Sequence, residues 1–214
     1  MSMIKDSDKV EIRKILAALE NDVKIVFFTQ EHECQYCMHT RELLQELAEL
    51  SDRLHLEIYD FVKDADRVKK YGIDKIPAIV LEGDRDYGIR FYGIPAGYEF
   101  STLLEDILDV GRRNPGLDSK ILAELAKVDK PVHMQAMVSP TCPYCPGAVR
   151  IAHKFAMASE FITGDMVEVS EFPQLAVKYG VQGVPDTVIN EDFKVIGAMP
   201  EMSFVKEVLK SIGK

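Results

Sequence analysis

Ser139-Pro-Thr-Cys142-Pro-Tyr-Cys145 and Gln30-Glu-His-Glu-Cys34-Gln-Tyr-Cys37 decide how the rest of the chain is read. Their cysteines are all the cysteines there are, four in 214 residues, and the two motifs stand 108 residues apart. Each follows a short apolar run that reads as a strand, Val23–Thr29 before the first and Pro131–Val138 before the second. Each precedes an apolar periodicity of helical spacing that runs to about Leu50 and Ala158. A cysteine pair three residues apart at a helix start suits thiol–disulfide exchange. Unpaired N–H groups and the helix dipole favour a thiolate at the first sulfur, and the second lies about one turn away. Cys34 and Cys142 are therefore read as attacking thiols, and Cys37 and Cys145 as resolving thiols.

Working outward, the offset of 108 also carries Lys70-Tyr71-Gly72 onto Lys178-Tyr179-Gly180 and Ile76-Pro77 onto Val184-Pro185. Upstream the offset is 109, aligning Ile12, Leu16, Leu19 and Val23 with Ile121, Leu125, Val128 and Val132. Downstream it is 104, bringing Gly93 and Phe100 onto Gly197 and Phe204. Two small length changes thus align nearly the whole chain with itself, which marks an internal repeat. Both halves carry the same predicted elements. A short helix is capped at Ser7/Asp8 or Asp118/Ser119, and then come the strand and the CxxC helix. A second strand follows (Leu54–Phe61, Ile162–Val169), then a helix ending near Gly72 or Gly180. A strand opens at each proline, another lies near Gly88–Tyr92 or Lys194–Gly197, and an amphipathic helix closes the unit. Gly111-Arg-Arg-Asn-Pro-Gly116 is the linker candidate. The expectation is an α/β fold: a tandem repeat of two units, 1–114 and 115–214, each a central mixed sheet flanked by helices.

Composition narrows the function. Lys+Arg of 26 against Asp+Glu of 35 gives a net charge of −9, which argues against a nucleic-acid backbone binder. No apolar window has the roughly 18 residues of a membrane span and no signal-like stretch opens the chain, so an intracellular, cytoplasmic protein is expected. Asn and Gln total only nine, a thin hint of a heat-adapted source. Paired cysteines in such a compartment point to redox or metal chemistry rather than a structural disulfide framework. Zinc knuckles lie 15–20 residues apart. Here 104 residues intervene, and each pair has its own copy of the surrounding fold. A zinc or iron–sulfur module and a chaperone-like binder remain the readings from other classes.

The strand, the CxxC at a helix start and the hydrophobic-Pro pair resemble the thioredoxin/glutaredoxin superfamily. Thr141-Cys-Pro-Tyr-Cys145 looks like the glutaredoxin active-site sequence, and Gly183-Val-Pro185 like the family's proline loop. Two such units in one chain, CQYC first and CPYC second, are similar to the two-domain protein disulfide oxidoreductases of thermophilic prokaryotes. That resemblance implies thioredoxin-like units and exchange with protein disulfide and dithiol substrates. It further implies a thioredoxin reductase-type electron donor, a peroxiredoxin as a possible acceptor, and no bound cofactor beyond the cysteine pairs. A dedicated electron carrier between reductase and client is the alternative of the same class. The resemblance also implies that Pro77 and Pro185 are cis, leaving the backbone of Ile76 and Val184 to pair with an extended substrate. Two departures matter. The chain has no Trp, and no Gly-Gly-x-x-Asp stretch follows Gly93 or Gly197, so a glutathione-dependent reaction is not expected.

The two sites are not expected to be equivalent. Glu31 and Glu33 beside Cys34 disfavour its thiolate unless His32 between them is charged, whereas Ser139-Pro-Thr141 is uncharged and Pro143 suits a first helical turn. The Cys142 thiolate is expected to be the better stabilised, and its disulfide the stronger oxidant. Tyr36 and Tyr144 either shape access to the sulfurs or are ordinary surface tyrosines. Asp60 and Glu168 are either proton relays or, as is commoner, loop acids. His39 and His153 are read as structural.

Overall fold

The structure is a computed structural model, and it describes residues 2–214. The first half runs α1 (Asp6–Leu16), β1 (Val23–Thr29), α2 (Cys37–Ala48), β2 (Leu54–Asp60), α3 (Ala65–Tyr71), β3 (Ala78–Glu82), β4 (Asp86–Tyr92) and α4 (Glu99–Arg112). The second repeats it as α5 (Ser119–Leu125), β5 (Val132–Val138), α6 (Cys145–Ala158), β6 (Ile162–Glu168), α7 (Pro173–Lys178), β7 (Asp186–Ile189), β8 (Phe193–Ile196) and α8 (Glu201–Ser211). The predicted order of elements is the observed one, in two thioredoxin-like repeats.

All eight strands form one sheet, ordered β2-β1-β3-β4-β6-β5-β7-β8. Within each repeat the CxxC strand pairs in parallel with the strand after its helix and antiparallel with the proline strand. The repeats join by parallel pairing of β4 with β6, from Ile89↔Gly164 to Tyr92↔Val167. Strand alternation then sorts the core. Ile25, Phe27, Ile79, Leu81, Ile89 and Phe91 turn to the face covered by α1, α2 and α4. Met134, Ile162, Ile189 and Val195 turn to α5, α6 and α8. Val26, Phe28, Val80, Met137, Val167 and Val188 face the other way, packed by Tyr71 and Phe172 beside α3 and α7.

Sequence could not show that the repeats share a core. Val138, Cys142, Cys145, Val149 and Met166 of the second half pack in one cluster with Phe91, Leu103 and Ile107 of the first. The second redox motif therefore sits at the seam between units.

Two local expectations are corrected. The first helix starts at Asp6 after an extended Lys5 with no side-chain cap, so Ser7 and Asp8 lie inside its first turn. In the second repeat Asp118 is the cap, accepting from the N–H of Lys120 at 2.8 Å. The linker is shorter than expected, because Gly111 and Arg112 belong to α4. Gly111 is buried, Asn21 donates to its carbonyl at 2.8 Å, and a Cβ there would lie 2.5 Å from Leu19 Cδ2. Its glycine serves close packing rather than a flexible link.

Candidate active site

β1 delivers the chain to the first motif and β5 to the second, and in each the hydrogen-bonded helix begins at the second cysteine. The first cysteine precedes the first turn, at the end where helix N–H groups are unpaired. Pro143 likewise lies before α6, and Pro146 takes the first-turn position. Cys34–Cys37 and Cys142–Cys145 are each closed as a disulfide, with Cα atoms 5.5 Å apart in both. Cys37 and Cys145 are buried. Cys34 is half-buried, whereas Cys142 is only 8% exposed. Because the attacking sulfur of an exchange must be reached by a partner, the two sites differ in access.

The proline loops stand as expected. Ile76–Pro77 and Val184–Pro185 are both cis, and the carbonyls of Pro77 and Pro185 accept from Gly93 and Gly197 at 3.0 and 2.8 Å. The structure brings Cys142 Sγ to 3.7 Å from the Val184 carbonyl, so the second sulfur and its proline loop are adjacent. Tyr36 is half-buried and packs on the core near the His39 ring, whereas Tyr144 is 72% exposed at the rim of the second site. Asp60 and Glu168 are bound to their own turns. Asp60 accepts from the N–H groups of Lys63 and Val62, which hold its carboxyl below the usual range. Glu168 accepts from Ser170 and Glu171. His153 has both ring nitrogens occupied, by Asp106 Oδ2 at 2.6 Å and the Arg90 carbonyl at 3.1 Å.

Two acids that sequence reading passed over lie along the loop contact between the first unit and the second redox motif. The loop Gly93–Tyr98 of the first unit lies against it. The Tyr98 N–H donates to the Pro140 carbonyl at 3.2 Å, and Gly97, at φ 61°, leaves no room for a Cβ beside that carbonyl. Glu171 accepts the Ile94 N–H at 2.6 Å, and burial pushes its carboxyl up to about 7. Next to Tyr98, Glu99 is buried with no hydrogen-bond partner for either carboxylate oxygen, and burial pushes it up to about 7. In the sequence it is one of several acids at a helix start. Nothing local distinguishes it, because burial is decided by tertiary packing. Behind it, Arg150 of α6 pairs with Asp106, Asp109 and Glu105 of α4, fixing the second CxxC helix to the first unit.

Among the described residues no group of three or more His, Cys, Asp or Glu side chains is arranged to hold a metal ion. What the geometry offers is two separate dithiol/disulfide couples. Each has a buried resolving sulfur beneath a more accessible one, and each has a cis-proline loop in its repeat. These are the parts of a disulfide oxidoreductase.

The thioredoxin-domain family matches residues 21–105 and again 132–210, and the chain belongs to that family. It is similar to a protein disulfide oxidoreductase from Aeropyrum pernix K1, at 30% identity and a TM-score of 0.90 over 97% of this chain and 93% of that one. It is also similar to a structure of the alkylhydroperoxide reductase AhpF of Enterococcus faecalis (V583). That match has 25% identity and a TM-score of 0.88, covering 95% of this chain and 98% of that one. Among curated proteins, a Bacillus subtilis NADH dehydrogenase is 24% identical over 212 residues, 99% of this chain and 38% of that protein. The corresponding alkyl hydroperoxide reductase protein of Staphylococcus epidermidis is 28% identical over 170 residues, 79% of this chain and 31% of that protein. The chain thus spans well under half the length of the curated relatives it matches.

Proposed function

We propose that this oxidoreductase exchanges disulfides with protein substrates through both CxxC sites. Cys34 and Cys142 attack, and Cys37 and Cys145 resolve. A substrate disulfide is attacked by the first thiolate, which forms a mixed disulfide and releases one substrate thiolate. The second thiolate then attacks the first sulfur, closing the CxxC disulfide and releasing the reduced substrate; the reverse sequence oxidises a substrate. The backbone of Ile76-Pro77 and Val184-Pro185 would hold an extended substrate segment beside each sulfur. The observation that carries the reading is the pairing of a closed CxxC disulfide with a proline loop in both repeats, seen at its closest where Cys142 Sγ meets the Val184 carbonyl.

Electrons would enter from a thioredoxin reductase-type donor and leave to client disulfides or a peroxiredoxin. The alkyl hydroperoxide reductase relatives support the peroxiredoxin arm. The reading includes a cytoplasmic setting, a heat-adapted source and a division into units 1–114 and 115–214. No helix among the described residues is long and apolar enough to cross a membrane.

Insulin reduction with dithiothreitol tests the catalyst. Wild type should accelerate it, each double-serine variant (Cys34/Cys37 or Cys142/Cys145) should retain part of the rate, and the quadruple variant none. An unchanged rate in the quadruple variant overturns the reading, as does a stoichiometric metal or visible cluster absorbance in anaerobically purified protein.

A further inference from the structure

A cavity of about 220 Å³ opens directly on Cys34, lined by Thr29, Gln30, Glu31, Met38 and Arg41. Its size suits an amino-acid-sized group and falls below the 300–1,000 Å³ of ordinary small-molecule sites. Its charges are the informative part. Arg41, half-buried one turn along α2 from Cys37, and Glu31, exposed at the end of β1, both line it. Among the described residues neither forms an ion pair or a side-chain hydrogen bond with any other group. The cavity therefore offers one free guanidinium and one free carboxylate in a space that also opens on an attacking sulfur. The second site has no such arrangement. At the same offset of 108 residues, Arg41 becomes the buried Val149, Glu31 becomes Ser139 and Met38 becomes Pro146.

We propose that the first site also accepts small amino-acid disulfides, its cavity seating a half-cystine whose carboxylate meets Arg41 and whose ammonium meets Glu31. The proposal rests on the disulfide-exchange reading and deepens it at one site. Cys34 thiolate attacks one sulfur of cystine, forming a Cys34–cysteine mixed disulfide and expelling one cysteine thiolate. Cys37 thiolate then attacks Cys34 and expels the second. The protein dithiol ends as its disulfide, the two electrons reside on two cysteines, and the two thiol protons leave with them. A planar guanidinium recognises a carboxylate through paired N–H donors, so the carboxylate contributes more of the selectivity than the ammonium does.

The test uses the full chain carrying Cys142→Ser and Cys145→Ser, reduced, desalted and mixed anaerobically with a disulfide while loss of the protein dithiol is followed by mass spectrometry. The probes are cystine, 3,3′-dithiodipropionate (carboxylate only), cystamine (ammonium only) and bis(2-hydroxyethyl) disulfide (neither). The chain carrying Cys34→Ser and Cys37→Ser sets the intrinsic order of the probes. Relative to that reference, cystine and dithiodipropionate should be favoured over the hydroxyethyl probe by about tenfold, the worth of one charge-assisted hydrogen bond. Each variant is read as the ratio of a probe's rate to the hydroxyethyl rate in that same variant, so that a change in the reactivity of Cys34 itself cancels: Arg41→Met should abolish the preference, and Glu31→Gln should lower the cystine and cystamine ratios only. Equal probe ratios at the two sites, or a ratio untouched by Arg41→Met, overturn the cavity's role. If no probe oxidises either dithiol, the exchange reading itself fails.

Discussion

Arg150→Met removes the cation that ties α6 to α4, and its consequences follow from what it leaves behind. The Arg150 Nε meets Glu105 Oε2 at 3.0 Å, and its two terminal nitrogens meet Asp106 and Asp109. The Asp106 side chain is 1% exposed, so its charge has no recourse to water. Removing one partner of a buried ion pair costs about 3–5 kcal/mol. Asp106 keeps His153 at 2.6 Å, and Asp109 keeps a distant Arg112 at 3.8 Å, which places this case near the low end, about 3 kcal/mol. With a urea slope of about 3 kcal/mol per molar, the unfolding midpoint should fall by about 1 M.

The deficit must also depend on pH. Burial already holds the Asp109 carboxyl above its ordinary range with Arg150 present, and without the guanidinium it rises further. A group raised in the folded state contributes stability that is complete below its unfolded pKa of about 3.9 and is lost as pH rises through the folded value. The variant should therefore lie closer to wild type at pH 5 than at pH 8. Because α6 carries Cys145, exchange at the second site should slow while the first site keeps its rate. Urea titrations at both pH values, with site-specific double-serine backgrounds for the rates, supply the check. A deficit under about 1 kcal/mol, or one that is equal at pH 5 and 8, refutes the reasoning.

Three further expectations are open to direct measurement. Glu99→Gln should be more stable than wild type at pH 8, by up to about 3 kcal/mol, with a much smaller difference at pH 5, because the raised carboxyl must ionise without a partner as pH rises through about 7. A stability difference that is equal at pH 5 and pH 8 would refute the raised carboxyl. In alkylation against pH, Cys142 should show the lower pKa while Cys34 reacts faster with a bulky maleimide once both are fully ionised, since Cys34 is the more exposed residue. A lower pKa at Cys34 rejects the ranking. Glu46 is held down at about 2 by the Ser2 hydroxyl and the Met3 N–H, so Glu46→Ala should free the N-terminal segment, seen as faster hydrogen exchange at Met3 and Ile4 with the first-site rate retained. Unchanged exchange there would show that the buried Ile4 alone anchors the segment.

The sequence by itself determined the repeat, the order of elements and the four thiols. These features rest on local rules: strand alternation, helical periodicity, and a cysteine spacing that only a helix start makes reactive. The cis state of Pro77 and Pro185 came instead from family resemblance, because local sequence favours trans. Helix starts were less legible. Ser7, Asp8 and Pro143 are good capping and first-turn residues by type, yet packing of Ile4 and the turn chemistry around each CxxC set the real boundaries one or a few residues away. Tertiary structure alone decided that β4 pairs with β6, because strand pairing across the repeats joins residues such as Ile89 and Gly164 that carry no mutual signature. From that pairing follow the seam, the burial of Cys142, and the loop of one unit laid on the site of the other. Arg150 acquires its partners only there, and Glu99 its burial only in the folded core, where desolvation turns ordinary helix-surface residues into a buried clamp and a raised acid. Burial is a property of the assembled core, and no single stretch of residues encodes it.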